Sequence, residues 1–397
     1  MRRESLQLLP GIAAVGITQI IGWGSTFHLP GVLGETIAAD LGFTLTIALL
    51  GPTVMLVTLA GVSWFLSGSF ERYGARAVMS IGSVISTIGL LLLAVAQGRI
   101  SYLLPWVVLG AAGAGMLTSA AQIAVSDFTG DRARQSIGIL TLFSGLAATI
   151  FWPLTNFLDD AIGWRATIVL YAAAYLVICL PLIRFVVPPR HTTESTAQDK
   201  SETTNETPLD RTAFWLMAGA IAANGFITWG FSLTLIPLFE DRGLARDAAV
   251  TIASSLGLIQ ISARIADTLG GRRWSGLTTG LIASAVLPLT YLLLLFGSGR
   301  YVIVAFICFY GLAGGAMAIA RSTIPLAVFP RGAYAQASAQ LALPMNLAFA
   351  SAPPIFGAIL THTGANVALV VATISSSVAF SLLWILARRT PRSGAGS

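Results

Sequence analysis

The chain alternates between long apolar runs and short polar segments. Each apolar run is about 20 residues long, which is the length at which an α-helix spans the hydrocarbon core of a bilayer. Helices are expected because an unpaired backbone group is costly in lipid. The predicted spans lie at 10–37, 45–66, 77–97, 102–126, 136–158, 165–187, 211–239, 248–266, 275–297, 301–327, 335–360 and 366–387. The pattern therefore predicts an all-α integral membrane protein with twelve transmembrane helices.

One polar segment, 188–210, lies near the middle of the chain. It contains no aromatic residue and is rich in Thr, Ser, Glu and Asp. Such a segment cannot bury enough apolar surface to fold alone. We expect a flexible cytoplasmic linker between two pseudo-symmetric six-helix bundles, residues 1–187 and 211–397, the second ending in a short cytoplasmic tail.

The charged residues are few and unevenly placed. Only 10% of the residues are charged and 55% are hydrophobic, whereas a soluble domain is about a quarter charged. Of the 23 basic residues, 18 lie in segments on the side of the two termini, and five lie on the other side: Arg99, Arg165, Arg242, Arg246 and Arg300. Basic residues concentrate in cytoplasmic loops. This asymmetry predicts cytoplasmic termini in a multi-pass protein of the cell membrane, the inner membrane if the source is bacterial.

The same asymmetry bears on two other interpretations of the basic residues. The net charge of +6 is explained by topology, so we exclude a nucleic-acid partner. Arg2 and Arg3 precede an apolar run that is too long for the core of a secretory signal, and we expect this run to be the first span.

The two halves of the chain match weakly but repeatedly. Four residues of the fourth span recur in the tenth at an offset of 201 positions: Gly110, Ala112, Gly113 and Met116 match Gly311, Ala313, Gly314 and Met317. After the second span, the segment 67–76 places Glu71, Gly74 and Arg76 with the same spacing as Asp267, Gly270 and Arg272 after the eighth span. Matching features at matching places indicate an internal repeat.

This duplicated loop resembles the signature loop of the major facilitator superfamily. The resemblance covers essentially the whole chain, and Pro153 together with Gly163, Trp164 and Arg165 resembles the monocarboxylate-transporter-like bacterial branch. Three residues depart from the usual pattern of the loop: Ser67, Glu71 and Thr268. The resemblance implies a secondary active transporter that works by alternating access.

The resemblance also implies a cytoplasmic gate formed by the duplicated loops. Its predicted members are Glu71, Arg72, Arg76, Asp267, Arg272 and Arg273. The two acids are expected to pair with arginines or with helix N-termini when the cytoplasmic side is closed. The alternative is that these charges only set the topology and a tight turn.

Polar and charged residues inside apolar helices are the candidates for transport chemistry, because burying them is costly. His28 is the one histidine within a predicted span, and the unperturbed pKa of histidine lies close to neutrality. It is the candidate for proton coupling, with bonding to a backbone carbonyl as the alternative. Arg321, in the tenth span, suits a carboxylate or another oxyanion, or else anchors a helix end.

The remaining candidates for substrate binding are Trp23, Gln122, Asn224, Trp229 and Asn346. The two tryptophans lie near the middles of the first and seventh spans, whereas tryptophan usually prefers the membrane interface. They are predicted to line a cavity, with core packing as the alternative. The amides are predicted to hydrogen bond with the solute, and bonding between helices is their other common use.

Several other classes of protein are disfavoured. The chain lacks the sequence signatures of serine hydrolases, zinc proteases and phosphate-binding loops, so we do not expect an enzyme. We predict no metal and no cofactor, because Cys179 and Cys308 have no metal-ligand spacing. The predicted partners are a small-molecule substrate, protons and the lipid bilayer, and the predicted state is a monomer. Two substrate classes stay open: a small carboxylate or other anion, and a drug-like or toxic compound exported by proton-driven efflux.

Overall fold

The structure is a computed structural model that describes residues 2–130, 133–189, 210–270, 276–329 and 331–389. The described residues are almost entirely helical and form no β-strand. Contacts divide the chain into two compact units, Met1–Ser195 and Thr196–Ser397. Most of the predicted linker, 190–209, lies outside the described residues.

The first unit contains six helices and two short π-helical segments. Its first four helices are α1 Arg2–Ser25, α2 Pro30–Leu41, α3 Leu45–Ala94 and α4 Arg99–Met116. They are followed by α5 Thr118–Thr129, α6 Ala133–Ala174 and the π-helical segments Tyr175–Cys179 and Leu182–Val186. The predicted first span is thus divided into α1 and α2, and the predicted fourth span into α4 and α5.

The described part of the second unit contains six helices of 21–33 residues. They are α7 Arg211–Asp241, α8 Arg246–Gly270, α9 Gly276–Phe296, α10 Arg300–Val328, α11 Arg331–Thr363 and α12 Ala365–Arg389. The start of α7 is capped by Asp210, whose carboxylate accepts hydrogen bonds from the backbone N–H groups of Thr212 and Ala213 at 2.9 and 3.1 Å. Such a cap pairs donors that the first helical turn leaves free.

Two glycines reverse the chain without a separate loop. The backbone of α3 stays helical to Tyr73, turns at Gly74 (φ 76°, ψ 156°) and continues as a second helix. Gly163 (φ 78°, ψ 161°) divides α6 in the same way. Because a positive φ is costly for residues that have a Cβ, glycine is required at such sharp turns. The polar residues before Gly74 are therefore part of a helix, which extends beyond the predicted boundary at residue 66.

The twelve predicted spans all correspond to helices. Ten helical stretches are long and apolar enough to cross a bilayer within the described part of the chain. One of these, Ser136–Val186, contains the turn at Gly163 and holds two spans. The helix α11, with 33 residues, lies at the position of the eleventh span.

The internal repeat is visible in the backbone and in polar contacts. The left-handed glycines Gly42 and Gly243 are 201 positions apart, as are Gly163 and Gly364. In the first unit, Arg165 forms an ion pair with Asp40. In the second unit, Arg242 donates to Oδ1 of Asn366 at 2.6 Å. Position 366 is the repeat of position 165, and Arg242 lies one residue beyond the repeat of position 40, so the two units form polar links at neighbouring places with the basic residue exchanged.

Glycines allow close contact between helices within each unit. A Cβ added at Gly110 of α4 would lie 2.5 Å from the backbone oxygen of Met55 in α3. At Gly315 of α10, an added Cβ would collide with the backbone oxygen of Gln260 in α8. Small residues of this kind let membrane helices approach closely. Gly110 and Gly315 therefore serve the packing of one helix against another.

We predict that Gly110→Ala destabilises the protein by roughly 1–3 kcal/mol, because the added methyl group meets backbone atoms that no rotamer change can move. The measurement is the apparent melting temperature of the purified protein in detergent. The matched control is Gly61→Ala in α3, where an added Cβ meets nothing within 4 Å. The control should leave the melting temperature unchanged or raise it slightly, and equal losses in both variants would contradict the packing argument.

Candidate functional site

The first span is interrupted at residues 26–29, between α1 and α2. Pro30 has no N–H group, so it cannot continue the helical ladder to Thr26. The Thr26 carbonyl instead accepts from the backbone N–H of Leu29 at 3.1 Å, and the N–H of His28 bonds to the Trp23 carbonyl at 3.0 Å. The interruption therefore places His28 on irregular backbone within the first span.

The fourth span is interrupted at Leu117, whose backbone is extended (φ −79°, ψ −157°). Two side chains of α1 reach this interruption. Nε2 of Gln19 donates to the Met116 carbonyl at 3.0 Å, and Nε1 of Trp23 donates to Oγ1 of Thr118 at 3.1 Å. Side chains from the first span thus provide hydrogen bonds at the break in the fourth span.

Gln19 is fully buried, and only half of its amide is used. Its side chain is 0% exposed, and its Oε1 atom has no hydrogen-bond donor within the described chain. A buried acceptor without a donor costs about 1–3 kcal/mol. Gln19 therefore keeps one free acceptor at the junction of the two interrupted spans.

The ring of His28 lies among aromatic side chains. It makes edge-on contacts with Phe27, at a centroid distance of 5.2 Å, and with Trp152, at 5.8 Å. The indole N–H of Trp152 donates to the His28 carbonyl at 3.3 Å. Nδ1 of the His28 ring is buried and bonds to no group of the described residues. Nδ1 therefore makes no bond to a backbone carbonyl of the described residues, and the role of His28 in proton coupling stays a prediction.

A second cluster of polar and aromatic residues lies in the second unit. Trp229 of α7 stacks on Phe349 of α11, with centroids 5.0 Å apart and planes at 11°. The guanidinium carbon of Arg321, on α10, lies 5.3 Å from the centroid of Phe349. Gly225 makes room for this ring, since an added Cβ would collide with it. Two predicted residues, Trp229 and Arg321, are thus brought together by Phe349.

Arg321 is half-buried and has no anionic partner among the residues that the structure describes. The charge of Arg264, on α8, lies near enough to repel it. Two like charges within one helical unit raise the positive potential there. An anion at this position would be attracted by both arginines.

Asn224 lies one turn before Trp229 and is buried. Its backbone carbonyl accepts from Oγ1 of Thr228 at 2.9 Å, and its Nδ2 atom has no acceptor within the described chain. The hydroxyl group of Tyr310, on α10, donates to the Thr228 carbonyl at 2.9 Å. Asn224 thus resembles Gln19, because each is a buried amide with one unused polar atom near the tryptophan of its span.

Two other predicted residues do not join these clusters by hydrogen bonds. Gln122 is half-buried on α5, and Asn346 is exposed on α11. Neither side chain bonds to another described residue. Their assignment to substrate binding remains a prediction.

The predicted gate is only partly covered by the structure. Arg272 and Arg273 lie outside the described residues, as do the side chains of Glu71 and Asp267. Arg72 is exposed, with its guanidinium carbon 5.2 Å from the centroid of the Tyr73 ring. Nη2 of Arg76 donates to the backbone carbonyl of Arg184. The pairing of the two acids stays a prediction.

Several residues of these clusters were not identified from the sequence, namely Gln19, Thr118, Trp152, Arg264, Tyr310 and Phe349. Gln19 had a usable signal, since an amide deep in an apolar run requires a partner. The aromatic residues had no such signal, because aromatic side chains are frequent throughout these spans. Their contacts join helices that are far apart in sequence.

Two related units of apolar helices, with interrupted spans in the first unit, are typical of a class of membrane carriers in which half-helices supply polar groups inside the bilayer. The particular family follows from comparison. The sequence model of the Major Facilitator Superfamily matches residues 15–273. The chain belongs to this superfamily.

Two animal relatives share the sequence at low identity. Monocarboxylate transporter 11 of Mus musculus is 28% identical over 115 residues, which cover 28% of this chain and 26% of the relative. Monocarboxylate transporter 4 of Gallus gallus is 21% identical over 329 residues, which cover 78% of this chain and 68% of the relative. The chain thus matches only about a quarter of the first relative's length and about two thirds of the second's.

Solved structures share the fold over nearly the whole chain. A bacterial homologue of the human lysosomal transporter Spinster, in an inward-facing and unoccupied conformation, has a TM-score of 0.71 at 14% identity, covering 98% of this chain and 99% of that one. The human organic anion transporter MFSD10 has a TM-score of 0.65 at 15% identity, covering 95% of this chain and 99% of that one. At these identities the similarity shows the fold.

We predict that Gln19→Met lowers stability by at most about 1 kcal/mol, because methionine keeps the volume and leaves the Met116 carbonyl without its donor, while the loss of the unpaired Oε1 atom offsets part of that cost. The matched control is Gln122→Met, at an amide that bonds to no described residue. Melting temperatures of both purified variants give the comparison. If Gln19→Met melted at the temperature of the unmodified protein, the hydrogen bond at the break in the fourth span would have no structural importance.

Proposed function

We propose that the chain is a secondary active transporter that moves a small organic anion, a carboxylate in the simplest case, across the membrane by alternating access. The observation that carries this proposal is the half-buried guanidinium of Arg321 against the Phe349 ring. The proposed orientation places both termini in the cytoplasm. We propose no catalytic activity for the chain.

Burying a cation away from water costs free energy unless a counter-charge pairs with it. An arginine within a membrane span needs a partner or access to water. The guanidinium of Arg321 lies against the Phe349 ring, and the positive charge of Arg264 is nearby. No carboxylate of the described residues pairs with Arg321. Because the planar guanidinium has several N–H donors in a fixed geometry, it suits two oxygen atoms of one carboxylate. A substrate carboxylate would supply the missing negative charge.

The comparisons support this substrate class. The two relatives are monocarboxylate transporters, and one structural neighbour is an organic anion transporter. Their identities to this chain are 28%, 21% and 15%. These relatives support the proposal because the anions that their names mention would pair with a cation such as Arg321.

A second candidate function is the efflux of a drug-like compound. The observation that favours it is the aromatic cluster of the first unit, in which His28, Phe27, Trp23 and Trp152 lie within contact of one another. Aromatic side chains bind bulky apolar solutes because they bury a large apolar area and because pairs of rings prefer stacked or edge-on arrangements. Such a solute would not need Arg321, so one variant separates the two candidates.

Proton coupling is proposed to depend on His28. Its Nδ1 atom is buried without a partner within the described residues, and its backbone lies at the interruption of the first span. The faces of neighbouring aromatic rings stabilise a cation. An imidazole in this position has an unused nitrogen for a proton during the transport cycle.

The gate is proposed to work through the duplicated loops. Glu71 and Asp267 would pair with positive groups when the cytoplasmic side is closed, and the pairs would break when it opens. Arg72, Arg76, Arg272 and Arg273 are their proposed basic counterparts.

We predict that Arg321→Gln reduces carboxylate uptake at least about tenfold, because a hydrogen bond to a charged group contributes about 1.5–3 kcal/mol. The substrate is first selected by a thermal-shift screen of carboxylates, sugars, drugs and metalloid oxyanions, since a ligand of the folded state raises its stability. Uptake is then measured in proteoliposomes.

The matched control is Arg300→Gln, at the exposed first residue of the same helix. It should retain uptake. Carboxylate uptake that survives in a correctly folded Arg321→Gln protein would reject the anion assignment. Stabilisation by bulky apolar compounds alone would favour the efflux function instead.

We predict that His28→Ala abolishes accumulation against a gradient while exchange of labelled for unlabelled substrate continues, because exchange needs no net proton movement. Both are measured in proteoliposomes with an imposed pH difference. His362→Ala, at the exposed end of α11, is the control. An equal loss of accumulation and exchange in His28→Ala would show a structural role for this residue.

A further inference from the structure

A cavity of about 500 Å³ lies in the first unit, away from the two clusters described above. It is bounded by α3 just after its turn, by α5, and by the end of the second π-helical segment with the residues that follow it. The side chains that matter for its chemistry are Tyr73, Arg76, Ser80, Ile81, Asp127 and Arg184. These residues lie at the helix ends that the arginine distribution predicts to be cytoplasmic.

The cavity is lined by two guanidinium groups and one carboxylate. Arg76 uses Nη2 to donate to the backbone carbonyl of Arg184. Its Nε atom is buried and has no acceptor among the described residues. The guanidinium of Arg184 makes no hydrogen bond or ion pair with a described group. The carboxylate of Asp127 offsets one of the two positive charges, so the lining keeps a net positive charge.

Guanidinium groups with unused donors indicate a ligand that has several acceptor oxygens. A phosphate group fits, because it offers oxygen atoms in the geometry that arginine binds best. Oγ of Ser80 already donates to the Arg76 carbonyl at 2.8 Å. This bond occupies the Ser80 hydroxyl proton and leaves the guanidinium of Arg76 unaffected.

The rim of the cavity is apolar and exposed. Ile81 and Tyr73 both line the cavity and are each 60% exposed, and Phe185, next to Arg184, is 82% exposed. In a membrane-spanning unit, large exposed apolar side chains contact lipid chains. Tyrosine and arginine are typical of the interface between the hydrocarbon core and water. A basic cavity with an apolar rim at this depth suits a molecule with an anionic head and an apolar tail.

We propose that this cavity binds an anionic phospholipid of the cytoplasmic leaflet, with its phosphate on Arg76 and Arg184 and an acyl chain along Ile81 and Phe185. Basic pockets between membrane helices on the cytoplasmic side are known to recognise such head groups. The site does not depend on the identity of the transported solute. Inorganic phosphate shares the chemistry of the head group but cannot use the apolar rim.

The experiment is native mass spectrometry of the delipidated full chain in detergent, titrated with phosphatidylglycerol, phosphatidylcholine or inorganic phosphate. We expect preferential binding of phosphatidylglycerol that millimolar phosphate does not displace. Arg184→Gln should weaken this binding about tenfold, which corresponds to about 1.4 kcal/mol. Because the Arg184 side chain bonds to no described group, this variant should fold normally.

The control is Arg389→Gln, at the exposed end of α12. Arg389 lies at the end of the last span, as Arg184 lies near the end of the sixth. It should bind phosphatidylglycerol as the unmodified protein does. Ile81→Gln should weaken lipid binding without changing any binding of inorganic phosphate. Equal affinities of the Arg184→Gln and unmodified proteins for phosphatidylglycerol would overturn the site. Complete displacement of phosphatidylglycerol by inorganic phosphate would also overturn it, because that result would indicate a site for a soluble phosphate compound.

Discussion

The constraint on which this structure depends is that backbone polar groups in a bilayer must find partners within the protein. Continuous helices satisfy it along most of each span. At residues 26–29 and at Leu117 the regular series of helical backbone hydrogen bonds is interrupted, and side chains donate hydrogen bonds to backbone carbonyls there. Gln19 bonds to the Met116 carbonyl, and Trp152 bonds to the His28 carbonyl, at 3.0 and 3.3 Å. These polar side chains link the first, fourth and fifth spans at the two interruptions within the first unit.

The same side chains leave some of their own polar atoms unused. Oε1 of Gln19, Nδ1 of His28 and Nδ2 of Asn224 are buried, and no described group bonds to them. Atoms of this kind cost free energy in the resting structure. A polar group that bonds to such an atom gains more than it would at an exposed surface.

The two units share a backbone plan but differ in chemistry. Glycines with a positive φ recur at an offset of 201 positions. The link between Arg165 and Asp40 and the link between Arg242 and Asn366 lie at nearly matching places, since Arg242 is one residue beyond the repeat of Asp40. A buried amide and a tryptophan occur in both units, as Gln19 and Trp23 and as Asn224 and Trp229. The charged group does not recur, since Ala120 stands at the position that corresponds to Arg321. The first unit adds the imidazole of His28, and the second adds a guanidinium beside an aromatic stack. Duplication preserved the turns, which are set by backbone geometry, and left the side chains free to diverge.

The sequence by itself determined the membrane class, the positions of the twelve spans and the family resemblance, because length and hydropathy are local properties and the duplicated loop has fixed spacing. It also singled out Trp229 and Arg321 as candidates for substrate binding, since tryptophan or charge inside an apolar run differs from the surrounding residues, and that role stays a prediction. Only the tertiary structure decided that Phe349 joins these two residues, that Gln19 closes the break beside Leu117, and that Arg76 and Arg184 share a cavity. Such contacts join residues from different helices, and hydropathy along one chain contains no information on which faces of those helices meet.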